Sequence, residues 1–200
     1  MSRSTTRKPR ALALFVATCC AYATASPAPH GSGGTTQVFT DRAAFMAALD
    51  GARFENKFTD VSPGASGGLR YAQSGFEYLV FTQFQASSAL YNGRNSVSTD
   101  RATDEVVLTL TSDTPVNAIG GNFWSTDFAQ RPVAGTITVT LSDGTIEAID
   151  STGPSNFIGF IAPEPIFGVT VDAPDNADAP PGTSGDRWPT MTNVVVGNGS

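Results

Sequence analysis

The sequence predicts an antiparallel β-sandwich with one short N-terminal helix, and three observations carry that expectation. After Gly51, apolar runs of four to nine residues are separated by turn residues. Several runs alternate apolar with polar, as a sheet with one wet face requires: Val106, Leu108 and Leu110 against Val107, Thr109 and Thr111, then Ile137, Val139 and Leu141 against Thr136, Thr138 and Thr140. Composition agrees, because Gly, Pro, Thr, Ser and Asp are plentiful while Lys57 is the only lysine after residue 25.

Residues 1–25 read as a signal peptide. Arg3, Arg7, Lys8 and Arg10 form a basic start, Ala11 to Ala23 an apolar run, and Ala23-Thr24-Ala25 a small-residue exit with cleavage expected after Ala25. A run of thirteen residues falls short of the roughly 20 that span a bilayer. Both cysteines, Cys19 and Cys20, leave with this leader, so the remaining chain must be stable without disulfides. It carries eighteen acidic against eight basic residues, a net charge of −10 where the whole chain has −6. Such a surface repels phosphate backbones and anionic lipid, which excludes nucleic acid as a partner. No second apolar segment of membrane length follows, so no membrane insertion is expected after signal cleavage, and the product is secreted, held at the cell surface or retained in the periplasm.

Residues 26–36 contain no apolar side chain larger than alanine and predict a flexible tail, in which His30 is solvated. Residues 37–200 predict one β-sandwich domain. A helix is expected from Asp41 to Leu49, capped by Thr40 or Asp41 and stopped by Gly51, with Phe45 and Leu49 on its docking face. Nine strands are expected: Arg53 to Phe58, Gly75 to Phe84, Glu105 to Thr111, Val116 to Trp124, Gly135 to Ser142, Thr145 to Asp150, Asn156 to Ile161, Ile166 to Asp172 and Met191 to Val196. Between two of them, Asp143-Gly144 predicts a type I′ hairpin turn.

The order of motifs resembles an exported bacterial ectodomain of the PEP-CTERM type. The resemblance rests on Val38 to Leu49, Phe54-Glu55-Asn56-Lys57-Phe58, Ala118 to Phe123, Ile137 to Gly144, Phe157-Ile158-Gly159-Phe160 and Pro165 to Val171. It implies a jelly-roll-like sandwich linked to the cell surface or to exopolysaccharide, with no implied reaction. Two features depart from the family: Thr192-Asn193 stands where an Asp-Asn pair is usual, and the Pro-Glu-Pro sorting tail is missing, since the internal Pro163-Glu164-Pro165 runs on into a further strand.

Chemistry is narrowed by what remains after Ala25. A serine or cysteine nucleophile needs a histidine base, and His30 is the only histidine. Zinc and most redox metals favour His and Cys ligands, which leaves carboxylate sites. Asp100, Asp104, Glu105 and Asp127 are the candidates for a paired-carboxylate glycoside hydrolase or lyase, although acidic residues at strand ends are far more often solvated turn formers than catalysts. From Asp172 to Asp186, the carboxylates of Asp172, Asp175, Asp178 and Asp186 offer the hard oxygen ligands that calcium takes, though not at EF-hand spacing. A solvated acidic loop is the preferred reading of this segment, and calcium is the one cofactor weighed against it. Sugars stack on rings beside polar groups, and Tyr91, Trp124 and Trp188, with Asp127 nearby, form the candidate ligand-binding set, Tyr91 and Trp188 on loops and Trp124 weighed against the favoured reading of a buried core residue.

The sequence reading is therefore a secreted, non-catalytic surface or matrix module that binds extracellular polysaccharide. Its alternatives are a carboxylate-based hydrolase or a purely structural matrix protein. Nothing in the sequence fixes the oligomeric state.

Overall fold

The computed structural model describes residues 34–83, 89–174 and 185–200, and Ser32–Ser200 forms one compact unit. Among the described residues the elements run β1 (Gln37–Phe39), α1 (Arg42–Ala47), β2 (Leu49–Asn56), β3 (Gly64–Ser66), β4 (Leu69–Gln73), β5 (Phe76–Thr82), β6 (Leu90–Gly93), β7 (Ser96–Thr99), β8 (Val106–Leu110), β9 (Ala118–Thr126), β10 (Pro132–Val133), β11 (Gly135–Leu141), β12 (Ile146–Ser151), β13 (Phe157–Ile161), β14 (Gly168–Asp172) and β15 (Trp188–Gly199). They form two antiparallel sheets. The larger follows β1-β13-β9-β15-β7-β6-β3, with β10 on β9 and β2 on β15; the smaller follows β12-β11-β14-β8-β5-β4.

Alternation in the sequence becomes the core between the sheets. Val106, Leu108, Ile137, Val139, Leu141, Val169 and Val171 from the smaller sheet meet Val97, Ile119, Phe123, Ile158, Phe160, Met191, Val194 and Val196 from the larger. Residues 1–33 and 175–184, which include the expected leader, its cysteines, His30, Asp175 and Asp178, lie outside the described residues.

A second apolar cluster sits on the outer face of the larger sheet. There Phe45 from α1 and Leu49, the first residue of β2, lie against Ala118, Phe157, Ile161 and Val195. Gly120 and Gly159 stand opposite one another on β9 and β13, and they make the notch that the Phe45 ring fills. A Cβ on Gly159 would lie 2.6 Å from Phe45 Cδ2, and one on Gly120 would lie 2.9 Å from Phe157 Cζ and 3.1 Å from Phe45 Cε1. Glycine is required at these two positions by space rather than by backbone conformation.

Several expectations need correction. The helix ends at Ala47 and its cap is Asp41, whose carboxylate accepts the Ala44 N–H at 2.7 Å. Leu49 instead opens β2, paired with Gly199. Gly51, expected as the helix stop, takes φ +72° where the β2–β15 register shifts, so its freedom serves a bulge. Asp143-Gly144 does close the β11–β12 hairpin, but the turn is not type I′, because only Gly144 has positive φ (+90°). Gly144 N–H donates to Leu141 O at 3.0 Å and Leu141 N–H to Thr145 O at 2.8 Å, giving a three-residue loop with a bulge. Thr36, expected in the flexible tail, donates to Asp143 Oδ2 at 3.2 Å.

Nine strands were too few. The runs β1, β3, β4, β6, β7 and β10 are short, and Tyr91-Asn92-Gly93 or Ser96-Val97-Ser98-Thr99 show no apolar alternation, since hydroxyl and amide side chains occupy buried positions there.

Filling the notch should be costly. Gly159→Ala is expected to destabilise by about 1–3 kcal/mol through overpacking, and Phe45→Ala by about 3–5 kcal/mol. In denaturant unfolding the double variant should lose clearly less than the sum, because the added methyl then occupies the space the ring vacates.

Candidate functional site

Helix α1 covers only part of the outer face of the larger sheet. Beyond it the cross-strand register sets Trp124 opposite Thr190, Thr190 opposite Ser98, and Ser98 opposite Tyr91. Trp188 opposes Thr126, two residues along from Trp124 and Thr190 respectively. Side chains two apart share a face, so the three aromatic residues singled out by sequence, Tyr91, Trp124 and Trp188, project to one side of one sheet. Tyr91 and Trp124 stand three strand spacings apart, about 14 Å.

Beneath them, hydroxyls rather than aliphatic groups fill the face. Thr190 Oγ1 lies 3.1 Å from both Thr126 Oγ1 and Ser98 Oγ, and Ser98 donates to Pro189 O at 2.9 Å. These residues are buried, which explains why β7 did not look like a strand.

Between Trp124 and the turns around it lies a cleft of about 460 Å³. Trp124, Thr126, Ser96, Thr192 and Asn193 come from the sheet, Lys57 and Thr59 from the chain after β2, Arg94 and Asn95 from the β6–β7 turn, Gln130 and Pro132 from the β9–β10 connection, and Pro154 from the β12–β13 loop. Polar walls around a ring suit a ligand with hydroxyls on an apolar body.

Each wall is held by an identifiable bond. Thr192 donates to Asn95 O at 2.6 Å, and its hydroxyl lies 3.5 Å from Lys57 O, so one side chain touches both turns that carry cations. Next to Lys57, Phe58 takes φ +52° with its N–H donated to Asn56 Oδ1 at 2.7 Å. A bulge between Thr192 and Val195, with Asn193 at φ +50°, turns β15 at the cleft, and Asn193 Nδ2 donates to Asn122 Oδ1 at 3.1 Å. Asn156 Oδ1 accepts the N–H groups of Thr152 at 2.9 Å and Gly153 at 3.1 Å, fixing the loop before Pro154.

Trp124 is 5 % exposed, so the expected stacking platform is instead the buried part of the cleft wall. Its indole Nε1–H has no acceptor among the described residues, and a buried donor left unpaired costs about 1–3 kcal/mol. Tyr91 is 38 % exposed and sits on strand β6 rather than on a loop, two residues from Gly93 at the cleft edge. Trp188 begins β15, where a loop had been expected.

Asp127, expected as a ligand contact, is committed elsewhere. Its Oδ1 accepts the N–H groups of Ala129 and Arg131, and its Oδ2 takes Arg131 Nε at 2.8 Å and Nη2 at 2.7 Å. The Arg131 hydrogen bonds hold its carboxyl below the usual range. This carboxylate builds the turn that places Gln130, itself at φ +59°, on the cleft wall.

The other carboxylates do not gather there. Asp100 Oδ1 accepts the Ala89 N–H at 3.0 Å, a turn-closing role, and Asp104 is buried with Oδ2 lacking a donor among the described residues. Burial first, and the charge of Asp172 second, push the Glu105 carboxyl up. Asp172 ends β14 and Asp186 is buried, but among the described residues no group of three or more His, Cys, Asp or Glu is placed to hold a metal. No Asp or Glu lines the cleft among the described residues.

A smaller hollow of about 320 Å³ lies beside Asp60, Tyr71 and Asn92. Burial, followed by the charge of Asp60, pushes the Tyr71 phenol up to about 12. At neutral pH it is therefore a hydrogen-bonding group and not a base.

Sequence reasoning did not single out Lys57, Arg94, Gln130 or Thr192 as site residues. The available signal was the turn Gly93-Arg94-Asn95, whose neighbours are too polar to advertise a hairpin.

No protein-family model matches this chain, and no curated protein matches it in sequence.

Glu105 supplies a test of the electrostatics. Because its pKa is raised above the unfolded value, the stability it contributes is present below the unfolded pKa of 4.5 and is lost as pH rises through the folded pKa. Glu105→Gln should consequently raise the melting temperature at neutral pH, with the gain shrinking on acidification, as followed by calorimetry.

Proposed function

We propose that this protein is an exported, non-catalytic module that binds extracellular polysaccharide at the cell surface or in the surrounding matrix. The observation that carries the reading is the cleft, where a tryptophan with an unsatisfied indole N–H lies among hydroxyl and amide side chains and no carboxylate. A sugar ring offers an apolar face and a rim of hydroxyl acceptors, which is the complement of that lining. Paired carboxylates on opposite sides of a bond are the requirement for glycoside hydrolysis, and they are missing from this cleft among the described residues.

Export rests on the leader-like residues 1–25. No helix among the described residues is long and apolar enough to cross a membrane. The resemblance to PEP-CTERM ectodomains, with a jelly-roll order of strands, belongs to the same proposal and is supported by the motif order and the two-sheet architecture.

One observation favours a second reading. Glu105, just before β8, has its pKa raised by burial and then by the charge of Asp172 at the end of the neighbouring strand β14, and a carboxyl held protonated beside another carboxylate is a pattern glycosidases use. Neither residue lines the cleft.

A glycan array probed with the purified protein, with added calcium and with chelator, tests the first reading. Binding to a polysaccharide class is expected, with Trp124→Phe, which keeps a ring and removes the N–H, weakening it about tenfold, the worth of one such bond. Absence of binding under both conditions, or release of reducing sugar that Glu105→Gln abolishes, would overturn it.

A further inference from the structure

We propose, resting on the polysaccharide-binding reading above, that the cleft selects an acidic polysaccharide, one bearing carboxylate or sulfate groups, and that Arg94 and Lys57 read its negative charge.

Charge is distributed unevenly on this molecule. Residues 26–200 carry a net charge of −10, yet the charged side chains lining the cleft among the described residues are Lys57 and Arg94, both positive. Three cations elsewhere are matched, Arg42 with Glu55 at 2.7 Å, Arg70 with Glu77 at 2.7 Å and Arg131 with Asp127 at 2.7 Å, while Arg53 and Arg101 enter no ion pair among the described residues. Arg94 enters no ion pair among the described residues. Lys57 lies 3.8 Å from Glu55, whose short contact is with Arg42, and its side chain is 64 % exposed. Two cations without a close acidic partner, on a protein otherwise rich in acid, give the cleft lining a local positive charge that suits a ligand bringing its own negative charge.

The two cations are also placed before any ligand arrives. The Thr192 hydroxyl ties the Arg94 turn through Asn95 O and lies against Lys57 O. Phe58, buried and at φ +52°, fixes the chain just after Lys57. A bulky residue in that region is held there by its surroundings, and fixed anchors lower the ordering cost of binding. Arginine's planar fork matches a carboxylate or sulfate in two hydrogen bonds. The buried Trp124 N–H adds a donor lacking an acceptor. Arg94, Lys57 and the Trp124 N–H are all donors suited to an anion, and no carboxylate among the described lining residues opposes them.

The test compares dextran, dextran sulfate and polygalacturonate by isothermal titration at low and at moderate salt. At least one polyanion is expected to bind tenfold or more tighter than dextran, with affinity falling as salt screens the contact; which one binds names the group. Lys57→Ala/Arg94→Ala should lose about tenfold or more of that affinity, about 1.4 kcal/mol, at an unchanged melting temperature. Arg101→Ala, which removes an exposed cation outside the cleft, should lose none. Equal binding of dextran and the polyanions, with the double variant unaffected, would overturn the charge selection while leaving polysaccharide binding intact. An equal loss in Arg101→Ala would reduce the effect to general electrostatics and overturn it as well. Failure to bind any of the three would overturn both readings.

Discussion

The side of the cleft that carries Lys57 and Arg94 depends on one irregularity, the bulge in β15 at Thr192 and Asn193. Upstream of it β15 pairs with β9 and β7, and downstream with β9 and β2. A regular strand would carry the same face straight through. The bulge with Asn193 at φ +50° bends the chain, and the change of partner brings the end of β2 and the β6–β7 turn to opposite sides of Thr192. Its hydroxyl then touches both. Bulges re-aim side chains at sites and are costly to keep for no purpose, which gives the irregularity a physical reason to coincide with the cleft.

Division of the outer face follows from side-chain size. Where β9 and β13 present Gly120 and Gly159, the sheet admits the ring of Phe45, and α1 closes over it. Farther along the same strands the residues become Asn122, Trp124 and Thr126, too large and too polar to receive a helix of six residues. What the helix cannot cover is lined by hydroxyls that satisfy one another and by a tryptophan that is not satisfied. The helix seals one region, and the other remains an open cleft.

Legibility varied with the kind of signal. Strands with one dry and one wet face, such as β8 and β11, were plain because alternation is a direct image of burial. The β6–β7 hairpin was invisible, since polar side chains occupy its buried positions: Ser96, and Ser98 and Asn92, which are hydrogen-bonded there. Of the residues singled out by sequence, Trp124 lies in the cleft wall, while Asp127 is bonded within its own turn, because a carboxylate satisfied by its turn looks in sequence like one without such partners. Lys57 and Arg94 lie far apart along the chain and meet only through Thr192, a contact no local pattern encodes. The acidic loop read as a calcium site lies largely outside the described residues, and Asp172 and Asp186 do not join a metal-holding group among those that are described.

The central claim is that ligand enters the cleft floored by Trp124. With two tryptophans in the chain, the indole N–H resonances of a nitrogen-15 labelled sample report on it directly during titration with oligogalacturonate. The account predicts a large shift of the Trp124 resonance, together with the backbone amides of Arg94, Asn95 and Thr192, while those of α1 stay in place. Shifts confined to the strand ends at Glu105 and Asp172, or a Trp124 signal that does not move at saturation, would contradict it.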